Sequence, residues 1–167
     1  MSRTIEVVER GRLITFSFED VLRYHGPRSP GGAAHAFKVL ERALPLLDPD
    51  GSCERREIVV ETAFEGPGAR DAFELVTRAV SGERFHIDPA LGRPERGRAL
   101  ERFVFRLGYR DRHVTLAARE GFVTDDLIDL ARTEHRTTDQ ERRLDVLKRE
   151  MADRVMARPA REVYEEG

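Results

Sequence analysis

Residues 101–119 read Glu-Arg-Phe-Val-Phe-Arg-Leu-Gly-Tyr-Arg-Asp-Arg-His-Val-Thr-Leu-Ala-Ala-Arg. Phe103, Phe105 and Leu107 alternate on one arm, Val114 and Leu116 on the other, around a turn near Tyr109-Arg110-Asp111-Arg112. Strand side chains switch faces at every residue, so this pattern predicts a β-hairpin with one buried face. Outward from it, Glu57 to Phe64 contains the β-branched run Ile58-Val59-Val60, which suits a buried strand. Arg84 to Asp88 suits a short one.

The remaining segments carry helical spacing. Ser17 to Tyr24 starts with capping-box spacing at Ser17 and Asp20, and Phe18, Val21 and Leu22 share a face. Ala33 to Leu47 repeats apolar residues at Ala33, Phe37, Leu40, Leu44 and Leu47, with Pro45 breaking the pattern near the end. Ala69 to Val80 places Ala72, Leu75, Val76 and Ala79 together. Thr124 opens a helix to about Arg132, and Thr138 with Glu141 caps a longer one to about Ala157. On that helix Leu144, Leu147, Met151 and Val155 form a narrow apolar seam, suited to docking against one neighbour. Arg158-Pro159 ends it, and Arg161 to Tyr164 is expected to add an edge strand. Strands and helices do not alternate regularly. The expectation is a single α+β domain over residues 1–167, a mixed or antiparallel sheet packed with helices, with a helical C-terminal part at about 124–157.

Lys and Arg number 29 against 31 Asp and Glu, a net charge of −2, which argues against a phosphate-neutralising nucleic-acid binder. The Arg-rich stretch Arg93 to Arg102 alternates with Glu95 and Glu101 and has no aromatic residue for base stacking, so it reads as a solvated face. Cys53 is the single cysteine, which rules out an intrachain disulfide and a Cys-x-x-Cys site, and no structural zinc is expected. Met1 to Val8 has no signal-like apolar run, and no stretch approaches the roughly 20 apolar residues of a membrane span. The expectation is a cytoplasmic protein.

Two tight loops precede helices: His25-Gly26-Pro27-Arg28-Ser29-Pro30-Gly31-Gly32 and Glu65-Gly66-Pro67-Gly68. A helix start exposes free N–H groups at the positive end of the helix dipole, so each junction is either a capped start or a site for a small anion. His25, Arg28 and Ser29 supplement the first loop, and Arg70 the second. Asp71 would place negative charge on the second helix start, as a stabilising acid or as part of a site. His25 and His35 with Glu61 or Glu65 offer imidazole and carboxylate to a transition metal, without any specific ligand spacing. His25, His35, His86, His113 and His135 otherwise read as hydrogen-bonded core or surface residues, and Cys53 as incidental.

On these loops the chain resembles the FmdE family of formylmethanofuran dehydrogenase and its bacterial relatives. That family carries Phe-His-Gly-His-x-Cys-Pro-Gly before a helix, and Tyr24-His25-Gly26-Pro27-Arg28-Ser29-Pro30-Gly31 lies on it residue for residue. The family's strand ending in Glu is similar to Val60-Glu61, and its helix start to Asp71-Ala72-Phe73-Glu74-Leu75-Val76-Thr77. Its charged last helix and Pro-containing tail resemble Ala157 to Glu165. The chain departs from the family where Pro27 replaces the second His, Ser29 replaces the motif cysteine, and the turn cysteine falls at about Gly68. A cysteine-rich zinc appendage is also missing from this stretch. The resemblance implies an α+β core, a pocket built from the two loops, and a homodimer. Serine is neither a soft metal ligand nor a nucleophile at neutral pH, so the thiol chemistry is not carried over.

Three functions stay open. One is an accessory protein that binds a small anion, a metal or a cofactor between the loops, through His25, Arg28, Ser29, Glu61, Arg70 and Asp71, with an oxidoreductase complex as partner. A second is an enzyme using His25 as acid or base, or as ligand to a transition metal or haem. The third is a structural partner without ligand. No catalytic residue is assigned.

Overall fold

The computed structural model describes residues 3–167. The chain is α+β, with six α-helices, a two-stranded sheet and a five-stranded sheet among the described residues. Strands β1 (Thr4–Glu9) and β2 (Arg12–Ser17) form an antiparallel hairpin that closes through Arg10 and Gly11, both at positive φ (51° and 78°). Two successive positive φ values match the right-handed twist of the flanking strands. Ile5 and Val7 turn into the core, and the Val8 N–H donates to the Cys53 carbonyl at 2.9 Å, tying the hairpin to the body.

Helix α1 (Phe18–His25) starts at the expected box: the Ser17 hydroxyl accepts from the Asp20 N–H, and the Asp20 carboxylate accepts from the Ser17 N–H. Helix α2 (Pro30–Leu47) begins three residues before Ala33, so Gly31 and Gly32 lie inside its first turn. Pro45 does not end it; the helix runs two residues further. From Gly31 to Leu40 every residue is buried. A helix enclosed on all sides is largely apolar all round, and here His35 and Lys38 are the charged-type residues enclosed with it.

Strand β3 (Ile58–Thr62) and strand β4 (Phe85–Ile87) are parallel neighbours joined through helix α3 (Pro67–Thr77). The predicted hairpin is β5 (Val104–Tyr109) and β6 (Arg112–Ala118). Arg161–Tyr164 is not a strand: Ala160–Val163 forms one helical turn, α6, and the edge strand β7 is Tyr164–Glu166. The sheet order is β4-β3-β5-β6-β7, antiparallel except for β3 and β4. Val60, Phe105 and Leu107 face the helices, with Phe105 and Phe73 of α3 in contact at 5.9 Å between ring centres.

Helix α4 (Asp125–Ala131) is capped by Thr124 as expected. Helix α5 (Thr138–Met156) is capped one residue earlier than its spacing suggests, by Thr137 and Gln140. Its seam of Leu144, Leu147, Met151 and Val155 is buried. It docks on α2 of the same chain, where Met151 fills the space beside Gly31. The seam is therefore not left for a second copy. Among the described residues no helix is long and apolar enough to cross a membrane.

Candidate functional site

His25 is the last residue of α1. Gly26 caps the helix at φ 87°, a conformation that favours glycine, and its N–H donates to the Leu22 carbonyl at 2.7 Å. The turn through Pro27 and Arg28 then brings Ser29 back over the imidazole. The Ser29 N–H donates to His25 Nε2 at 3.0 Å. His25 Nδ1 lies 2.8 Å from Asp71 Oδ2, on the first turns of α3. A backbone N–H can only donate, so Nε2 carries the lone pair and the proton sits on Nδ1, donated to Asp71. The imidazole is 3% exposed and the Asp71 carboxylate 35%, so the clasp is closed on the histidine side and open to water on the carboxylate side.

The two glycine-rich loops thus meet in space. Gly68 lies directly against the Ser29 carbonyl, where a Cβ would collide with that oxygen and come within 2.9 Å of the Ala33 N–H. A Cβ on Gly32 would lie 3.3 Å from the Ala69 nitrogen. These glycines let the first turns of α2 and α3 approach backbone to backbone. Gly66 is similarly closed off by the Phe64 ring.

The other expected site residues separate into two groups. Ser29 is buried at the joint, and Arg28 and Arg70 stand exposed on either side of it. Neither arginine side chain has an ion-pair partner among the described residues within 4.0 Å. Glu61 does not join them. Val60 and Thr62 are buried toward the helices, so Glu61 between them projects from the other face of the sheet. It sits there in register with His86 on one side and Arg106 on the other. The parity of β3 is visible in Ile58-Val59-Val60-Glu61-Thr62 and is enough to separate Glu61 from the loops.

Chemically, the joint is a hydrogen-bonded clasp. Asp71, His25 and Ser29 are the three residue types of a hydrolytic triad, but Nε2 meets the Ser29 backbone N–H and not its hydroxyl. With both ring nitrogens engaged, His25 offers no lone pair to a metal or to a substrate proton in this arrangement. Among the described residues no group of three or more His, Cys, Asp or Glu is arranged to hold a metal ion.

The remaining buried polar groups lie in the core, where His35 Nε2 has no hydrogen-bond partner among the described residues. His35 is fully buried, its Nδ1 2.7 Å from the Tyr164 hydroxyl, and burial pushes its pKa down to about 3. Lys38 is enclosed and donates to Glu41 at 2.8 Å; burial lowers its pKa, opposed by that carboxylate. Cys53 is buried beneath the hairpin, and desolvation followed by the nearby Asp48 pushes its thiol up to about 12. Its thiolate is therefore suppressed.

Two grooves flank the joint. One, of about 620 Å³, lies between α1, the first loop and α5, against Phe18, Leu22, Pro27 and Pro30. The other, of about 390 Å³, lies between the second loop and β4, with Arg70 and His86 on its walls. Arg149 in the first groove and His86 in the second carry no signal in the sequence, because each comes from a segment distant from its loop. Comparison with protein-family models gives no match for this chain, and none of the curated proteins matches it significantly.

Proposed function

We propose that this chain is a binding or accessory protein, similar to the core of the FmdE family of formylmethanofuran dehydrogenase, that holds a small anion or anionic cofactor where the two loops join. One observation carries this reading. The starts of α2 and α3 abut at Ser29 and Gly68, neither has an acidic residue in its first turn, and Arg28 and Arg70 stand exposed beside them. Helix starts are the positive ends of helix dipoles, and two of them together with two guanidiniums favour an anion. Of the carboxylates near the joint, Asp71 is held by His25, while Glu65 and Glu83 line the groove beside Arg70 and oppose an anion there.

The clasp favours binding over catalysis. An acid or base must reach its substrate, and His25 is enclosed with both nitrogens bonded. A metal or haem at His25 would first have to displace Ser29 or Asp71. The protein acts as a homodimer within an oxidoreductase system, on the strength of the family resemblance alone.

Titration calorimetry with sulfate, phosphate and formate tests the reading. Binding by at least one of them, weakened when Arg28 and Arg70 are both replaced by Ala, supports it. Equal behaviour of the parent and the double variant toward all three would reject it. Light scattering tests the dimer, which has twice the 19.1 kDa mass of the chain.

A further inference from the structure

Beyond the loop joint, a smaller and more enclosed cavity of about 180 Å³ lies between Phe64 and Phe103 on one side and α4 on the other. Its floor is aromatic: Phe64 lies 4.5 Å from Phe103 between ring centres at an interplanar angle of 30°, and Phe103 is covered on its other side by His35 at 4.6 Å. Ala99 and Ile128 make the walls apolar. Three guanidinium groups stand around it, from Arg98, Arg102 and Arg132. Two of these are already neutralised: Arg98 is held by Asp129 through two hydrogen bonds of 2.8 and 3.1 Å, and Arg132 donates to Glu101 at 3.0 Å. Arg102 has no ion-pair partner within 4.0 Å among the described residues.

We infer that this cavity is a binding site for a small planar carboxylate with an aromatic body, about the size of benzoate. The floor suits an aromatic ring, since edge-to-face and offset aromatic contacts are favourable and an apolar cavity gains from being filled. Carboxylate is the complement of an arginine fork, and Arg102 is the one fork at the mouth without a partner. The opposing group is Glu65, also on the rim. It is exposed, so water and salt screen its repulsion. This site rests on Phe64, Phe103 and Arg102, none of which lines the groove beside Arg70, although the two share Glu65 and Gly66 on their rims.

Amide NMR titration of the full chain with benzoate and with neutral benzamide tests the proposal. Saturable shifts at Ala99, Phe103 and Ala131 are expected with benzoate. Benzamide should bind about tenfold more weakly, the effect of losing one charge-assisted pair. Arg102→Gln should bring the two ligands level, and Glu65→Gln should tighten benzoate alone. Ala131→Leu, at an exposed helix position on the cavity edge, should block both ligands without disturbing the fold. Equal affinity for benzoate and benzamide, shifts centred elsewhere, undiminished binding in Ala131→Leu, or no saturable binding of benzoate would each overturn it.

Discussion

His25 Nδ1 and Asp71 Oδ2 lie 2.8 Å apart across 46 positions of sequence, and this bond locks the end of α1 to the start of α3. With the Ser29 N–H on the other nitrogen, one enclosed imidazole satisfies two partners. His25→Ala removes both bonds and leaves the Ser29 N–H buried without an acceptor. It is expected to cost about 2–4 kcal/mol while the core still folds. Asp71→Asn keeps an acceptor for the Nδ1 proton and should cost about 1 kcal/mol. Urea denaturation of the two variants checks the order; a His25→Ala protein as stable as the parent would dismiss the clasp.

Gly68→Ala forces a methyl group onto the Ser29 carbonyl, between two backbones that have no flexible side chain to yield. Such overpacking costs about 1–3 kcal/mol or more. Gly51 is the control, because its nearest neighbour, an Asp48 carboxylate oxygen at 3.6 Å, is at ordinary contact distance. Gly51→Ala should stay within about 0.5 kcal/mol of the parent. Paired thermal melts measure the difference; equal melting of the two variants would mean that the loops are not in backbone contact.

Stability should fall as the pH drops from 6.5 toward 3. In the unfolded chain His35 takes up a proton near its ordinary value of 6.5, whereas burial keeps the folded His35 neutral until about 3. Within that window the unfolded state binds more protons, so acid favours it by about 1 kcal/mol per pH unit. Above 6.5 the contribution is fully present and flat. Replacing His35 with Phe should reduce the slope between pH 6.5 and 5, a range above the ordinary carboxylate values. An unchanged slope would show that His35 is not the group responsible.

Cys53 should be inert in the folded protein. Its thiol is enclosed and raised to about 12, so the reactive thiolate is scarce. A thiol reagent at neutral pH should modify it at least about 100-fold more slowly than in denaturant. Comparable rates in the two states would mean that the space beneath the hairpin opens readily.

The hairpin of residues 101–119 and the Ser17 cap are legible in the sequence because period-two alternation and capping boxes are local signals. The cap of α5 is displaced by one residue because Thr137-Thr138-Asp139-Gln140-Glu141 contains two overlapping boxes, and only the first is used. The start of α2 is hidden by Gly31 and Gly32. Their poor helix propensity is overridden by Met151 and the start of α3, which need the space a side chain would fill. The β1–β2 hairpin is obscured although Arg10-Gly11 marks its turn, since Val7-Val8 and the 58% exposed Leu13 blur the alternation. At the loops, His25 stands out because it ends α1, whereas Asp71 lies in the second turn of α3, because that helix starts at Pro67 and not at Ala69. The Arg102 cavity does not, because three separate segments must fold before it exists.

Helix α2 touches α1, α3, α5, α6, β1 and the central sheet, so when any one of them detaches the others still enclose it. Deuterium exchange at the α2 amides then measures something different from exchange elsewhere. Edge strands β2 and β4 exchange through local fraying, at rates set by their own contacts. The protected middle of α2, from Ala34 to Leu40, exchanges when the whole enclosing shell opens. Its slowest protons act as an internal gauge of global unfolding, readable under native conditions without denaturant.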